Sequence, residues 1–304
     1  MATTQTKDVA GVGVFPRNPG TGRRVLQAVA RFMRRKPLGA FGAIMLLALV
    51  LVAALANVLA PYDPISQNQS VALQGPSSSH WAGTDQFGRD VLSRLLHGAR
   101  ISLYVGVGAT LLTLIPATML GIFTAYVGGT TDYMIQRIVD AVQAIPGLIL
   151  LIAIVTVLGS SLINIIVALA FGGAIVESRV MRGATMQISR SDYVQAARLL
   201  GATDIRIMLQ HILPNIMPPI IVLASLGFGQ VILAEASLSF LGFGIQPPAA
   251  SWGNMLAAEG RRYMYAAPWL LWGPAVALSL VVFGVNMFGD AVRDVLDPRL
   301  RGVG

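Results

Sequence analysis

The chain has no cysteine among its 304 residues, which excludes disulfide bonds, thiolate zinc sites and thiol catalysis. It has only two lysines, Lys7 and Lys36, and neither follows a glycine-rich turn. A phosphate-binding loop needs a Gly-Lys-Ser or Gly-Lys-Thr sequence after such a turn, so the chain offers no nucleotide site of that kind. Its three histidines, His80, His97 and His211, lie in predicted loops or at the ends of apolar runs. We therefore expect no catalytic residue, metal ligand or cofactor-binding residue here.

Charged residues are also scarce. They make up 12% of the chain, against about 25% in a typical soluble domain. Hydrophobic residues make up 55%, and the mean hydropathy is +0.67. Long charge-free runs separate short polar segments. This composition predicts an all-α integral membrane protein.

Six transmembrane helices are predicted, because a span needs about 20 consecutive apolar residues. Four apolar runs each predict one span: Leu38–Ala60, Ile101–Val127, Ile216–Leu241 and Ala266–Gly289, of which only Ile216–Leu241 contains a charged residue, Glu235. A fifth run, Ala141–Val176, is far longer than a bilayer core of about 30 Å requires at about 1.5 Å per residue. We interpret it as a hairpin of two spans that breaks at Gly159-Ser160-Ser161. Pro116 lies inside the second span, where lipid-embedded helices tolerate proline.

The segments between the spans are polar. Residues 1–37 form a basic tail, in which Gly22–Arg35 is a candidate for an amphipathic surface helix or serves only to orient the protein. Residues 61–100 are predicted as an extracytoplasmic segment that ends in an interfacial helix from Asp90 onward. Residues 128–140 are predicted as a short loop and 177–215 as a longer one. Residues 242–265 are predicted as an outer loop, and 290–304 as a short tail.

Acidic residues and histidines of the 61–100 segment allow two interpretations. Asp85, Asp90, His80 and His97 could form a catalytic group, but no spacing specifies its geometry. Capping of turns explains every one of these residues equally well, and Asp85 and Asp90 each have an arginine nearby. We favour the capping interpretation.

The basic residues predict the orientation of the protein in the membrane. With both termini in the cytoplasm, the inner segments hold 17 of the 22 lysines and arginines. Cytoplasmic loops are enriched in these residues, so this topology is favoured over its reverse. The net charge of +8 is thereby explained without nucleic acid, for which no aromatic-interleaved basic patch is present.

The stretch Ser191–Pro214 predicts a helix, a glycine turn and a second helix. Ser191 or Asp192 can cap the first helix, with Gln195 three residues after Asp192 as in a capping box. Gly201 ends it, because glycine enters the left-handed conformation without steric cost. Thr203 and Asp204 can cap the second helix, which Pro214 is expected to end.

This stretch resembles the cytoplasmic coupling loop, called the EAA loop, of ABC-importer permeases. Five residues match that pattern in register: Ala196, Ala197, Gly201, Leu213 and Pro214. Gln195 replaces the glutamate of the pattern, and His211 stands where isoleucine is usual. The resemblance implies that an ATPase subunit docks on this loop. The residues assigned to the loop are Asp192, Gln195, Ala196, Ala197, Gly201, Ala202, Asp204, Leu213 and Pro214.

The resemblance extends to most of the chain. The segments EASLSFLGFGIQPPAASWGNML and DPRLRG, together with the 61–100 segment, resemble the dipeptide, oligopeptide and nickel permeases, in particular their C-type subunit. This implies a type I ABC-importer permease with a five-helix core and one N-terminal helix, in the bacterial inner membrane. It implies three kinds of partner: a second homologous permease, two cytoplasmic ATPases that bind ATP and Mg²⁺, and an extracytoplasmic solute-binding protein.

The solute that this resemblance implies is a short peptide. Nickel, or another peptide-like or chelated solute, remains an alternative. A channel outside the ABC class is a further alternative, but it would leave the coupling loop unexplained. The residues themselves show no chain of intramembrane acids and histidines that could relay protons, so the work of transport has to come from a partner.

Glu235 is the one acidic residue clearly inside a predicted span, whereas Glu177 lies at the edge of one. Glu235 is about 28 Å from the entry of the fifth span at about 1.5 Å per residue. It is a candidate for the translocation path or gate, where it could meet the ammonium group of a peptide. The alternative, which we favour, is that it accepts local hydrogen bonds from the turn at residues 242–248 or from the partner permease.

Overall fold

A computed structural model describes residues 33–34 and 36–296 of the chain. Most of the candidate helix Gly22–Arg35 and the segment DPRLRG lie outside the described residues. The helical bundle belongs to the compact unit that begins at Leu38. Across the described residues the chain is helical without any strand, apart from a single β-bridge between Thr84 and Asp90. The predicted all-α class is confirmed.

Ten α-helices follow one another along the described residues. They are α1 (Pro37–Leu59), α2 (Val91–Val127), α3 (Gly129–Gln143), α4 (Gly147–Leu158), α5 (Leu162–Ser189), α6 (Asp192–Leu199), α7 (Asp204–Arg206), α8 (Met217–Phe240), α9 (Trp252–Asn254) and α10 (Trp269–Leu296). Two π-helical turns, Ile207–Ile212 and Met255–Gly260, follow α7 and α9. Two 3₁₀ turns occur at Gln69–Val71 and Leu213–Ile216.

Five helical stretches of the described chain are long and apolar enough to cross a membrane. They are α1, α2, α5, the continuous stretch Asp204–Phe240 that contains α8, and α10. A sixth span exists if α3 and α4 count as one, although the two helices are bent by 88° at their junction. The predicted number of six spans is therefore reached only if the bent pair α3 and α4 is counted as the third span.

The predicted interfacial helix is not a separate element. It is the first part of α2, which runs for 37 residues from Val91 and is therefore about 55 Å long. Asp90 caps its start by accepting a hydrogen bond from the amide of Ser93. Arg94 is 2% exposed and donates to the carbonyl of Pro64 at 3.3 Å. It is therefore surrounded by protein, whereas on an interfacial helix it would be exposed to water. Pro116 lies within α2 without ending it.

The third predicted span also differs from expectation. Residues 128–140 were predicted as a loop, but all of them except Gly128 belong to helix α3 (Gly129–Gln143). The apolar helix α4 has only 12 residues, or about 18 Å. Pro146 explains the break, because it has no amide hydrogen and disfavours helical backbone in the residue before it. The break predicted at Gly159-Ser160-Ser161 is present. Gly159 has a φ of +87°, and the Ser161 side chain caps the start of α5.

Three helix ends lie elsewhere than the sequence suggested. Helix α5 continues to Ser189, so Glu177 lies inside a helix and not at the start of a loop. Helix α10 continues to Leu296, into the predicted tail. Pro214 does not end a helix; it occupies the first turn of the 3₁₀ segment, where a missing amide hydrogen removes no intrahelical bond.

Glycines allow the long helices to approach closely. A Cβ atom on Gly121 of α2 would lie 2.5 Å from the Met181 Cβ of α5, and one on Gly42 of α1 would lie 2.2 Å from the Gly284 carbonyl oxygen of α10. Both contacts require a residue without a side chain. Two tryptophans then connect residues 61–100 to the bundle: Trp252 Nε1 donates to the Leu95 carbonyl at 3.0 Å, and Trp269 Nε1 to the Thr84 carbonyl at 3.1 Å.

Candidate functional site

The structure contains the predicted turn between two helices at Ser191–Pro214, which we call the elbow. Helix α6 ends at Leu199, and Gly201, two residues later, has a φ of +81°. The Ala202 amide donates to the Ala197 carbonyl and the Gly201 amide to the Arg198 carbonyl, each at 3.0 Å. These two bonds and the left-handed glycine constitute a Schellman motif, which satisfies carbonyl groups at the end of a helix. Gly201 therefore sets the direction in which the chain leaves α6.

The predicted capping box is absent. Neither Ser191 nor Thr203 caps its helix through a side chain, and Gln195 Nε2 donates to the Arg190 carbonyl at 3.1 Å. The Ser191 hydroxyl is engaged elsewhere, because it donates to the Ile188 carbonyl at the end of α5 at 2.7 Å. Asp192 is exposed and lies in the first turn of α6, where its charge favours the helix dipole.

The tip of the elbow is apolar and exposed. Leu199 and Leu200 are each 88% exposed, and Ile205 beyond the turn is 66% exposed. Ala196 is exposed and Ala197 half-buried, so small side chains lie beside these large ones. The alanines were recognisable from the sequence pattern, whereas the two leucines were interpreted only as helix formers. Three large apolar side chains around one glycine turn indicate a protein contact. This signal was already present in the sequence.

Buried side chains attach the elbow to the bundle. Val194 of α6 and three isoleucines that follow α7 pack against α2 and α5, and the packed residues include Ile207, Ile212, Ile216, Met181 and Ile122. Ala202 and Leu213 pack against this cluster, whereas Pro214 is exposed. The elbow is therefore fixed on one side and free on the other.

Tyr126 connects the end of α2 to the elbow. Its hydroxyl group donates to Asp204 Oδ1 at 2.6 Å, and the Arg198 guanidinium lies 5.2 Å from the centre of its ring. The two elbow residues lie on either side of Gly201. Tyr126 therefore links α2 to both halves of the elbow.

Ion pairs connect α3 to α5 at the same end of the bundle. Arg182 donates to Asp132 through two nitrogens, at 2.7 and 2.5 Å, and Arg179 pairs with Asp140. The pair of Arg182 and Asp132 is bidentate, and such a pair is stronger than one with a single hydrogen bond. These contacts hold the broken third span against α5 just before the elbow.

A cavity of about 840 Å³ lies between α2, α5, α8 and the junction of α3 with α4. Its wall is mainly apolar, with polar side chains from several elements: Thr110, Thr113, Gln143, Glu177, Gln230 and Ser237. Glu177 is the only charged residue among the described residues that form this wall. A volume of this size is within the range of ligand sites, about 300–1,000 Å³.

Glu235 does not belong to this cavity wall. It is 1% exposed, and its Oε1 accepts a hydrogen bond from the Ser239 hydroxyl at 2.6 Å. The Ser251 hydroxyl in turn lies 3.3 Å from the Ser239 hydroxyl. A local environment therefore satisfies the carboxyl group, as the favoured interpretation expected, but through serine side chains and not through the backbone of residues 242–248.

The acidic residues of the 61–100 segment act as caps. Asp85 accepts from the amides of Phe87 and Arg89 at 2.8 and 3.0 Å, and from Arg89 Nε at 2.5 Å. Asp90 accepts from His80 Nδ1 at 2.9 Å in addition to its bonds at the start of α2. Each carboxylate is occupied by structural bonds, so the segment does not assemble a catalytic group.

Known proteins are similar to this chain in sequence and in fold. Residues 117–302 match the family described as binding-protein-dependent transport system inner membrane component. Residues 25–76 match the N-terminal transmembrane domain of oligopeptide transport permease C. Among solved structures, the inward-facing MetNI methionine ABC transporter is similar with a TM-score of 0.55 at 20% identity, over 67% of this chain and 96% of that one. This likeness supports the type I importer fold.

Curated relatives are similar over almost their whole length. The dipeptide transport system permease protein DppC of Alkalihalophilus pseudofirmus is 41% identical, over 88% of each chain. The di/tripeptide permease DppC of Pseudomonas aeruginosa is 41% identical over 86% of this chain and 89% of its own. The oligopeptide permease OppC of Bacillus subtilis is 39% identical over 90% and 89%. The chain therefore belongs to the inner-membrane components of binding-protein-dependent transport systems, among the dipeptide and oligopeptide permeases of the C type.

Proposed function

We propose that this chain forms, with a second permease of similar fold, the translocation path of an ATP-driven importer of short peptides. Members of the family are permease subunits and not enzymes, and separate subunits hydrolyse ATP. The relatives quoted above are named for dipeptides, di/tripeptides and oligopeptides. The observation that carries the proposal is the cavity of about 840 Å³, which combines a largely apolar wall with a few polar groups. Such a lining suits solutes that share a backbone but differ in their side chains.

The elbow is the docking site for the ATPase in this proposal. Its free side presents Leu199, Leu200 and Ala196, and an apolar surface of this kind is typical of a protein contact. The chain has no phosphate-binding loop of its own, so ATP and Mg²⁺ bind to the two partner ATPases. A solute-binding protein delivers the peptide from the opposite side of the membrane, in keeping with the description of the family.

The orientation follows from the distribution of basic residues. With both termini and the elbow in the cytoplasm, 17 of the 22 lysines and arginines lie on the inner side. The protein is then a multi-pass component of the bacterial inner membrane, with residues 61–100 on the extracytoplasmic side.

Reconstitution of the complete complex into proteoliposomes tests the proposal. We expect uptake of labelled dialanine that requires ATP, both permeases and the binding protein. Uptake of nickel in place of peptide would support the alternative solute and overturn the peptide assignment. Solute flux that persists without ATP and without the ATPase would show a channel and overturn the importer.

A further inference from the structure

Glu177 is the charged residue of the cavity wall whose role the family assignment leaves open. We propose that its carboxylate binds the amino-terminal ammonium group of the transported peptide during passage through the membrane. This inference rests on the proposed function and identifies the part of the substrate that the cavity recognises.

The position of Glu177 supports this role. It lies near the middle of α5, with 12 helical residues from its neighbour to the end of the helix at Ser189. Its Oε2 atom is buried and has no hydrogen-bond partner in the part of the chain that the structure describes. The neighbouring arginines of α5 are engaged elsewhere, because Arg179 pairs with Asp140 and Arg182 with Asp132. A buried carboxylate oxygen without a partner is costly until a cation or hydrogen-bond donor reaches it.

Glycines lie beside this carboxylate. Gly227 of α8 packs against it, and a Cβ atom there would be 3.2 Å from Glu177 Oε1, closer than an ordinary van der Waals contact. Gly172 and Gly173, about one turn before Glu177 on α5, line the cavity and contribute no side chain. No side chain from these three positions therefore separates the carboxylate from the cavity.

The chemistry of the wall near Glu177 suits an ammonium group. The Thr113 side chain also lines the cavity and lies beside Gly173, about one turn before Glu177 on α5. An ammonium group carries three donors, so an oxygen near the carboxylate can accept from it as well. Every unmodified peptide has this group whatever its sequence. One carboxylate in an apolar cavity therefore recognises peptides as a class, while the apolar surface accepts varied side chains.

Glu235 offers no comparable site. It is almost fully buried, hydrogen-bonded to Ser239, and outside the cavity wall. Glu177 is thus the better candidate for the substrate contact that the sequence had suggested for Glu235.

Glu177→Gln in the reconstituted complex is the first test, with Glu177→Asp as the conservative comparison. A solute-binding protein sets the concentration dependence of uptake, so loss of a contact inside the membrane should act on the rate. We expect the maximum rate of dialanine uptake to fall about tenfold or more in Glu177→Gln, with the half-saturating concentration unchanged. We expect Glu177→Asp to retain most of the rate, because its charge remains.

A second test leaves Glu177 in place. The chain has no cysteine, so Gln230→Cys creates a single thiol on the cavity wall. We expect dialanine, ATP and the binding protein together to slow the labelling of this thiol by a small methanethiosulfonate reagent. The added change Glu177→Gln should abolish this protection. Thr130 is exposed and lies outside the cavity, so the thiol of a Thr130→Cys variant should be labelled at the same rate with and without peptide.

The outcomes separate the proposed function from the role of Glu177. If the wild-type complex imports no peptide, the proposed function fails. If it imports peptide and Glu177→Gln does so at the wild-type rate, only the role of Glu177 is refuted. Equal loss of complex assembly in Glu177→Gln and Glu177→Asp, with no protection of the thiol at position 230, would show a purely structural role and likewise overturn the inference.

Discussion

Replacement of Gly201 tests whether the direction of the elbow matters for ATPase docking. The φ of +81° is unfavourable for any residue with a side chain, by about 1–2 kcal/mol. A Cβ atom at Gly201 would meet nothing within 4 Å, so the whole effect of Gly201→Ala is conformational. The elbow conformation should then lose a factor of about 5–30 in population relative to its alternatives. A β-branched residue is less tolerant still, and asparagine more tolerant.

We therefore expect ATPase binding to weaken in the order glycine, asparagine, alanine, valine. The assay is the affinity of the purified permease pair for its ATPase in detergent, together with peptide-stimulated ATP hydrolysis. Membrane insertion should persist in all variants. Affinity that is unchanged in Gly201→Val would refute the reasoning, and so would a Gly201→Asn variant as weak as Gly201→Val.

Gly242 provides a matched control. It ends α8 in the same Schellman geometry, with a φ of +87° and no atom within 4 Å of a Cβ position. It follows the far end of α8, whose 24 residues span about 36 Å, so it lies well away from the elbow. Gly242→Val should therefore introduce a similar backbone strain and leave ATPase affinity near the wild-type value. Equal loss in both variants would point to general destabilisation.

Three further predictions concern single contacts. Ala196→Trp should block ATPase docking while the two permeases still co-purify; recovery of the ATPase at wild-type yield would refute docking on this face. Tyr126→Phe removes the hydrogen bond to Asp204, worth about 0.5–1.5 kcal/mol, and should lower peptide-stimulated ATP hydrolysis more than ATPase binding; an equal effect on both would contradict a role in transmission. Gly42→Leu should separate α1 from α10, because a Cβ atom at position 42 would lie only 2.2 Å from the Gly284 carbonyl oxygen. It should therefore lower the melting temperature of the protein in detergent. An unchanged melting temperature would show that α1 is free to shift.

The hydrophobic runs alone predicted the class and most of the spans. The prediction failed where the contacts of individual residues determined the structure more than the hydrophobic pattern did. Charge at Arg94 and His97 suggested a helix on the membrane surface, but tertiary and local contacts satisfy both: Arg94 reaches the Pro64 carbonyl, and His97 Nδ1 donates to the Ser93 carbonyl at 2.9 Å. Such partners are invisible in a hydropathy profile.

The broken third span was missed for a related reason. The amphipathic run at residues 129–143 has too many polar residues to be read as a span, yet it forms a helix because its charged residues pair with α5. Pro146 was available as a signal, and it marks the bend. By contrast, Gly159 and Gly201 were identified correctly, because the left-handed turns they form depend only on local backbone geometry. The position of Glu177 in a cavity wall depends on the relative placement of five helices, which cannot be predicted from the sequence.

The bend between α3 and α4 also bears on how the subunit is made and maintained in the cell. A helix of about 18 Å cannot cross a bilayer core of about 30 Å, and no side chain caps the start of α4 at Pro146. Its first amides lack intrahelical partners, and lipid cannot replace them. The surface of α4 carries exposed apolar residues such as Ile149 and Val157. If the second permease of the proposed complex covers α4, a copy synthesised in excess of that permease would leave this helix without its protein contact. We expect such excess copies to be degraded by membrane proteases, so that the scarcer of the two proposed permeases sets the cellular amount of both.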